Sequence, residues 1–140
     1  MSFPTREVAQ LFPDIGWANI RYYANRGLLV PSVRPGLGRG TVALYSFADL
    51  VAGRLILALR DAVGLSVVSP FVSYIQGRLD EDLHEPHLYL WRSVEFLGDE
   101  PVLGPVREGS CLPQPTQFTL VVNLSRLVED VRTRLEGVKQ

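Results

Sequence analysis

The sequence predicts an α+β chain. A helical N-terminal unit, about residues 1–80, is followed by a small α/β unit, about residues 85–140. Three observations carry this reading. Apolar residues recur at helical spacing in four stretches before residue 80. Asp80-Glu81-Asp82-Leu83-His84-Glu85-Pro86 is an acidic break that ends in proline. Beyond it the pattern turns to strand formers and then returns to one amphipathic helix.

Thr5 is expected to cap a short helix to about Phe12, with Val8, Ala9, Leu11 and Phe12 as its apolar face. Pro13-Asp14-Ile15-Gly16 follows as a tight turn. The second helix spans about Trp17 to Arg26. Ile20 and Tyr23 face inward with Leu28 and Leu29, while Arg21, Tyr22 and Asn25 fall on other faces. Gly27 suits the left-handed residue that closes a helix. Val30 to Tyr45 is expected to form a β-hairpin, with Gly36, Gly38 and Gly40 at the tip beside Arg34 and Arg39.

Ser46 caps a helix from about Phe47 to Val63, and Asp49 lies in its first turn, where the macrodipole favours an acid. Leu50, Val51, Leu55, Ile56, Leu59 and Val63 form its stripe, and Gly64 ends it. Ser66 starts a fourth helix to about Leu79, in which Pro70 is tolerable only in the first turn. In the second unit, His87 to Phe96 is rich in strand formers, Gly98 to Pro115 is expected to be loop, and Gln117 to Asn123 is a strand. Asn123 or Ser125 caps a last helix whose apolar face is Leu124, Leu127, Val128, Val131 and Leu135.

Composition narrows the function classes. Hydrophobic content of 46% is that of a folded protein. No apolar run reaches the ~18 residues of a membrane span. The first residues lack a secretory-signal pattern, and a cytoplasmic location is expected. The lone Cys111 excludes an internal disulfide and a multi-cysteine zinc site. His84 and His87 flank Glu85, but their spacing across Pro86 is not a helical ligand pair, and a solvated linker is the favoured reading. No metal and no cofactor are expected. No nucleophile–base arrangement, phosphate loop or carboxylate pair stands out, so the chain is not expected to be an enzyme.

The charge is unevenly spread. Residues 1–60 hold seven arginines and three acids, and residues 61–140 hold seven basic and twelve acidic residues, within an overall −1. A basic half suits phosphates. Arg21 can fork onto a guanine or a phosphate, and Tyr22 can donate its hydroxyl to a phosphate. Arg34 and Arg39 flank small residues, so the hairpin can approach the DNA backbone or minor groove. The competing readings are a solvated helix face and a merely flexible turn. Trp17 either touches DNA or anchors the helix pair.

Over the first 80 residues the chain resembles the winged-helix DNA-binding domain of the MerR family of transcription regulators. Thr5-Arg6-Glu7-Val8-Ala9 is similar to the family's opening helix. Asn19-Ile20-Arg21-Tyr22-Tyr23, then Gly27-Leu28-Leu29 and Pro31, resembles its recognition helix and exit. Arg34, Tyr45-Ser46 and Asp49-Leu50 resemble the wing and the start of the next helix, and Arg60 with Gly64-Leu65-Ser66 the step into the fourth. The hairpin departs from the family pattern. Val42 and Ala43 stand where an aromatic–arginine pair is common, so either Arg39 replaces that arginine or the hairpin grips DNA more weakly. The family's long dimer helix is not seen after Leu79.

The resemblance implies binding of double-stranded DNA but not the family's usual effector domain or dimer mode, and a sequence-specific transcription regulator is the expected function. A homodimer is expected because two clear strands leave an edge to bury and one short recognition helix contacts too few bases. The expected contacts are Trp17, Asn19, Arg21, Tyr22, Arg34, Arg39 and Tyr45. The expected dimer residues are Phe118, Leu120, Val121 and Leu127 in the second unit, which dimerises or senses a small-molecule or protein effector. Two readings stand beside it: an architectural, excisionase-like DNA binder, and a protein-interaction module with a degenerate helix-turn-helix.

Overall fold

The computed structural model of the chain describes residues 2–36, 42–63, 65–77, 88–94, 103–107 and 118–139. The N-terminal part runs β1 (Phe3–Pro4), α1 (Thr5–Leu11), α2 (Trp17–Asn25), β2 (Leu44–Tyr45), α3 (Phe47–Val63) and α4 (Leu65–Gln76). The C-terminal part runs β3 (Leu88–Val94), β4 (Leu103–Arg107), β5 (Phe118–Asn123) and a last helix, α5, over Leu124–Lys139. The acidic break with His84 and His87, and Cys111, lie outside the described residues. No helix among the described residues is long and apolar enough to cross a membrane.

β1 and β2 form a short antiparallel ribbon with Phe3 opposite Tyr45. This pairing corrects the expected role of Thr5. The helix begins at Thr5 itself, after Pro4, and no side-chain cap is made there. Thr5 is instead buried, and its side chain hydrogen-bonds Tyr45. Ser46 does cap α3, reciprocally with Asp49: the Asp49 N–H donates to Ser46 Oγ at 3.1 Å, and the Ser46 N–H donates to Asp49 Oδ2 at 2.8 Å. Pro70 lies in the second turn of α4, not the first. A proline there removes one helical hydrogen bond, and α4 keeps its course because Val68, Phe71, Val72 and Ile75 are buried in the core.

The C-terminal sheet has three strands in the order β4-β3-β5, all antiparallel. The expected loop between Gly98 and Pro115 therefore contains a strand. Leu103-Gly104-Pro105-Val106-Arg107 is poor in strand formers, but β4 is an edge strand with one partner. An edge tolerates a proline that has no N–H to give.

α5 is the element that joins the two parts. The Asn123 side chain caps it, accepting the Arg126 N–H at 3.2 Å. It packs against α3, α1 and β3. Leu124, Val128 and Val131 enter one buried cluster with Phe12, Ile20, Leu29, Leu55 and Ile56. Each such side chain contributes about 1.5–3 kcal/mol when fully buried. Polar contacts fix the helix on the same surface. Arg54 of α3 pairs with Asp130, and Arg134 lies 3.4 Å from the same carboxylate. Arg134 also donates to the Leu11 carbonyl at 3.3 Å and sits 5.6 Å over the Phe12 ring. Burial alone raises the Asp130 pKa, but the two guanidiniums outweigh it and hold the carboxyl below its ordinary value.

Candidate nucleic-acid interface

The turn between α1 and α2 is built from backbone hydrogen bonds. Ile15 and Gly16 N–H groups donate to the Phe12 carbonyl at 3.1 and 3.2 Å. Gly16 stands at φ +82°, a left-handed value that glycine takes at little cost, and its carbonyl receives the Ile20 N–H. Asn19 donates its side-chain amide to the Ile15 carbonyl at 2.9 Å. Arg60, from the last turn of α3, donates to the Asp14 carbonyl at 3.1 Å. A hydrogen bond with Tyr23 raises the Arg60 pKa further above its already high value. The turn is thus tied at both ends to the core.

α2 ends in two nested bonds. The Gly27 N–H reaches the Ala24 carbonyl at 3.2 Å, and the Leu28 N–H reaches the Tyr23 carbonyl at 2.9 Å. This is the Schellman closure that Gly27, at φ +75°, was expected to permit. Ile20, Tyr23 and Leu29 are buried beneath it. With 3.6 residues per turn, the opposite side of α2 carries Ala18, Arg21, Tyr22, Asn25 and Arg26, all exposed.

Trp17 and Tyr22 are large aromatics at 48% and 47% exposure. Trp17 is therefore not the buried anchor of the helix pair. Arg26 lies 5.2 Å from the Tyr22 ring centroid. Arg54 and Arg60 are held in internal contacts, whereas Arg21, Arg26 and Arg34 pair with no carboxylate among the described residues. The basic N-terminal half thus divides into arginines tied to the α5 and turn contacts and arginines with no carboxylate partner among the described residues.

Behind α2 the chain crosses a buried carboxylate. Asp49, 1% exposed, accepts the Ser32 N–H at 2.9 Å, the Ser32 hydroxyl at 2.7 Å and the Ser46 N–H on Oδ2, and the Gln76 side chain at 2.7 Å on Oδ1. Gln76 also donates to the Val30 carbonyl at 2.7 Å. One side chain thus joins the exit from α2, the start of α3 and the end of α4. The strand segments beyond it are bridged at Arg34 and Leu44, and Arg34 Nε donates to the Val42 carbonyl at 2.9 Å. The hairpin tip, with Arg39, lies outside the described residues.

Tyr45 requires a correction. It was expected to face DNA, but it is 1% exposed, hydrogen-bonded to Thr5 and buried enough to raise its pKa. Its side chain belongs to the core. Asn19 lies on the flank of α2 with its amide occupied by the turn. In the second unit, β5 has β3 as a neighbour on one side only among the described strands. Leu127 is half-buried against the chain's own core. Of the expected dimer strand, Val122 is buried, and Phe118, Leu120 and Val121 pair with β3 opposite Val94, Arg92 and Trp91. Arg26 is absent from the contacts expected on sequence grounds, although its i,i+4 spacing from Tyr22 is a visible signal.

Residues 15–68 match the family model described as MerR HTH family regulatory protein. The chain is 31% identical over 70 residues to HTH-type transcriptional regulators, themselves uncharacterized, of Mycobacterium bovis and of Mycobacterium tuberculosis. The aligned stretch covers 49% of this chain and 31% of each relative, so the chain spans about a third of their length. The matched residues run from the turn before α2, through the Asp49 junction, into the start of α4, and over them the chain is similar to the MerR-type helix-turn-helix.

Proposed function

We propose that the protein is a sequence-specific, DNA-binding transcription regulator. It uses α2 as the recognition helix and the 30–45 hairpin as a wing, and it binds double-stranded DNA as a homodimer. The observation that carries this reading is the outward face of α2. Arg21, Tyr22 and Arg26 are exposed there, next to Trp17, and no carboxylate neutralises the arginines among the described residues. A phosphate or base edge would be their counterpart. Arg34 extends the basic surface beyond α2, and Arg39, outside the described residues, is proposed as a further contact.

A single short helix contacts too few bases for strong discrimination, and a dimer places two such helices about 34 Å apart on one face of the duplex. The edge of β5 away from β3, which has no partner among the described strands, offers the self-complementary contact, with Val121 on that strand. Footprinting of the full chain on genomic fragments tests the whole reading. One or two discrete palindromic footprints, lost with Arg21→Ala at a cost of about 1–3 kcal/mol, are the expected result. A long continuous footprint would indicate an architectural binder, and no protection an interaction module. Light scattering of the parent and Val121→Asp chains tests the dimer, and a parent monomeric at micromolar concentration would remove it.

A further inference from the structure

We propose that Arg26 is a DNA-phosphate contact and that Tyr22 serves it as a positioning residue, holding the guanidinium against its ring rather than binding phosphate through its own hydroxyl. The inference rests on the DNA-binding reading above and deepens it at one end of α2. Tyr22 and Arg26 are one helical turn apart and both exposed. The guanidinium carbon lies 5.2 Å from the ring centroid, inside the ~6 Å range of a cation–π contact. Contact through the ring face leaves the guanidinium's in-plane N–H donors unused. None of the Arg26 side-chain donors is taken by an acceptor among the described residues.

Position makes the pair useful. Arg26 is the cap residue of α2, followed by Gly27 in its left-handed turn. A helix C-terminus carries partial negative charge and by itself repels a phosphate. An arginine fixed there reverses the local sign where the chain leaves the helix towards the hairpin. A free arginine would lose rotamer freedom on binding, and the Tyr22 ring removes part of that loss beforehand. Tyr22 also has a ring neighbour, Tyr23, whose centroid lies 6.0 Å away and which is itself buried. The platform is therefore braced against the core.

The test uses the full chain and a short mixed-sequence duplex, with affinity measured by fluorescence anisotropy between about 50 and 200 mM salt. Circular dichroism melts confirm that each variant folds. Arg26→Ala is expected to flatten the salt slope by about one unit, which is roughly a fourfold smaller loss of affinity across that range. Tyr22→Leu should lose much of the same increment, and the double variant no more than Arg26→Ala alone. Tyr22→Phe, which keeps the ring, should bind as the parent does.

If Tyr22→Phe falls as far as Tyr22→Leu, the hydroxyl makes the contact and the proposal is overturned. It is also overturned if Arg26→Ala keeps the parent's slope, which would leave Arg26 as a helix-end charge only. A parent chain that binds no duplex refutes the DNA-binding reading itself, and a parent that binds while Arg26→Ala is unchanged refutes only this inference.

Discussion

Replacing Asp49 should cost more than any other single change in the hydrogen-bond network that joins the exit of α2 to α3 and α4. Its carboxylate accepts four hydrogen bonds from three separate segments. In Asp49→Ala two of the donors have second partners: the Ser32 hydroxyl also meets Ser46 Oγ at 3.0 Å, and Gln76 keeps the Val30 carbonyl. The Ser32 and Ser46 backbone N–H groups have none among the described residues. Ser32 is exposed, so water relieves part of its loss, while Ser46 is half-buried and loses the reciprocal cap of α3. With about 1–3 kcal/mol for each donor left unsatisfied, and a few tenths for the lost charge at the helix start, the total is roughly 2–4 kcal/mol. For a chain of 140 residues this lowers Tm by about 6–16 °C.

Asp49→Asn should cost less, about 1–2 kcal/mol. It keeps one acceptor, but its amide then faces the Gln76 amide. Rotating Gln76 to accept would set its oxygen against the Val30 carbonyl. Urea and thermal unfolding followed by circular dichroism give both values, and amide exchange should quicken at Ser32 and Ser46. A loss below about 0.5 kcal/mol for Asp49→Ala, the range of an ordinary surface change, would refute the reasoning.

Gly27→Ala should destabilise by about 1 kcal/mol, read as a lower urea midpoint. A Cβ there meets nothing within 4 Å, so the cost is the left-handed backbone alone, and Gly27→Asn should cost less. Asp130 has a folded pKa below its unfolded one, so its stabilising contribution is present above the ordinary carboxylate range and fades as pH falls through the folded value. Asp130→Asn should therefore lower the urea midpoint at neutral pH and flatten its acid-side decline. If the slope on the acid side is unchanged, the Arg54–Asp130–Arg134 cluster is not what fixes α5. A fragment of residues 1–80 should fail to melt cooperatively. It loses Leu124, Val128 and Val131 from the core, a deficit of roughly 5–9 kcal/mol against a total stability of about 5–15 kcal/mol. A sharp thermal transition in that fragment would contradict the role given to α5.

Local signals in the sequence were the legible ones. The bounds of α3, its Ser46 cap and the left-handed Gly27 follow from rules that act over four or five residues. The inward set Ile20, Tyr23, Leu28 and Leu29 is a matter of helical phase, and burial follows it: Ile20, Tyr23 and Leu29 are buried and Leu28 packs against them. Partners distant in sequence were not legible. Tyr45 and Thr5 each carry a hydroxyl that suits a surface role when read alone, and only the pairing of β1 with β2 buries both. β4 was hidden by Gly104 and Pro105, because an edge strand does not need the residues that mark a central one. The basic half was visible as a total. Which arginines are held inside the fold depends on Asp130 and Asp14, far from Arg54 and Arg60 in sequence.

The Arg134–Leu11 bond spans 123 positions of the chain, and this has a consequence for biosynthesis. While the polypeptide is being made, α1 and α3 leave the ribosome with the groove for Leu124, Val128 and Val131 still open. The apolar walls of that groove, Phe12 among them, remain available to chaperones until the last helix has emerged. Closing so long a loop carries an entropic cost before its contacts form, which favours slow final folding over rapid sequential assembly. The nascent helix-turn-helix is thus expected to reach its final packing late, and mutations in α5 should lower the yield of folded chain even though they lie far from the outward face of α2.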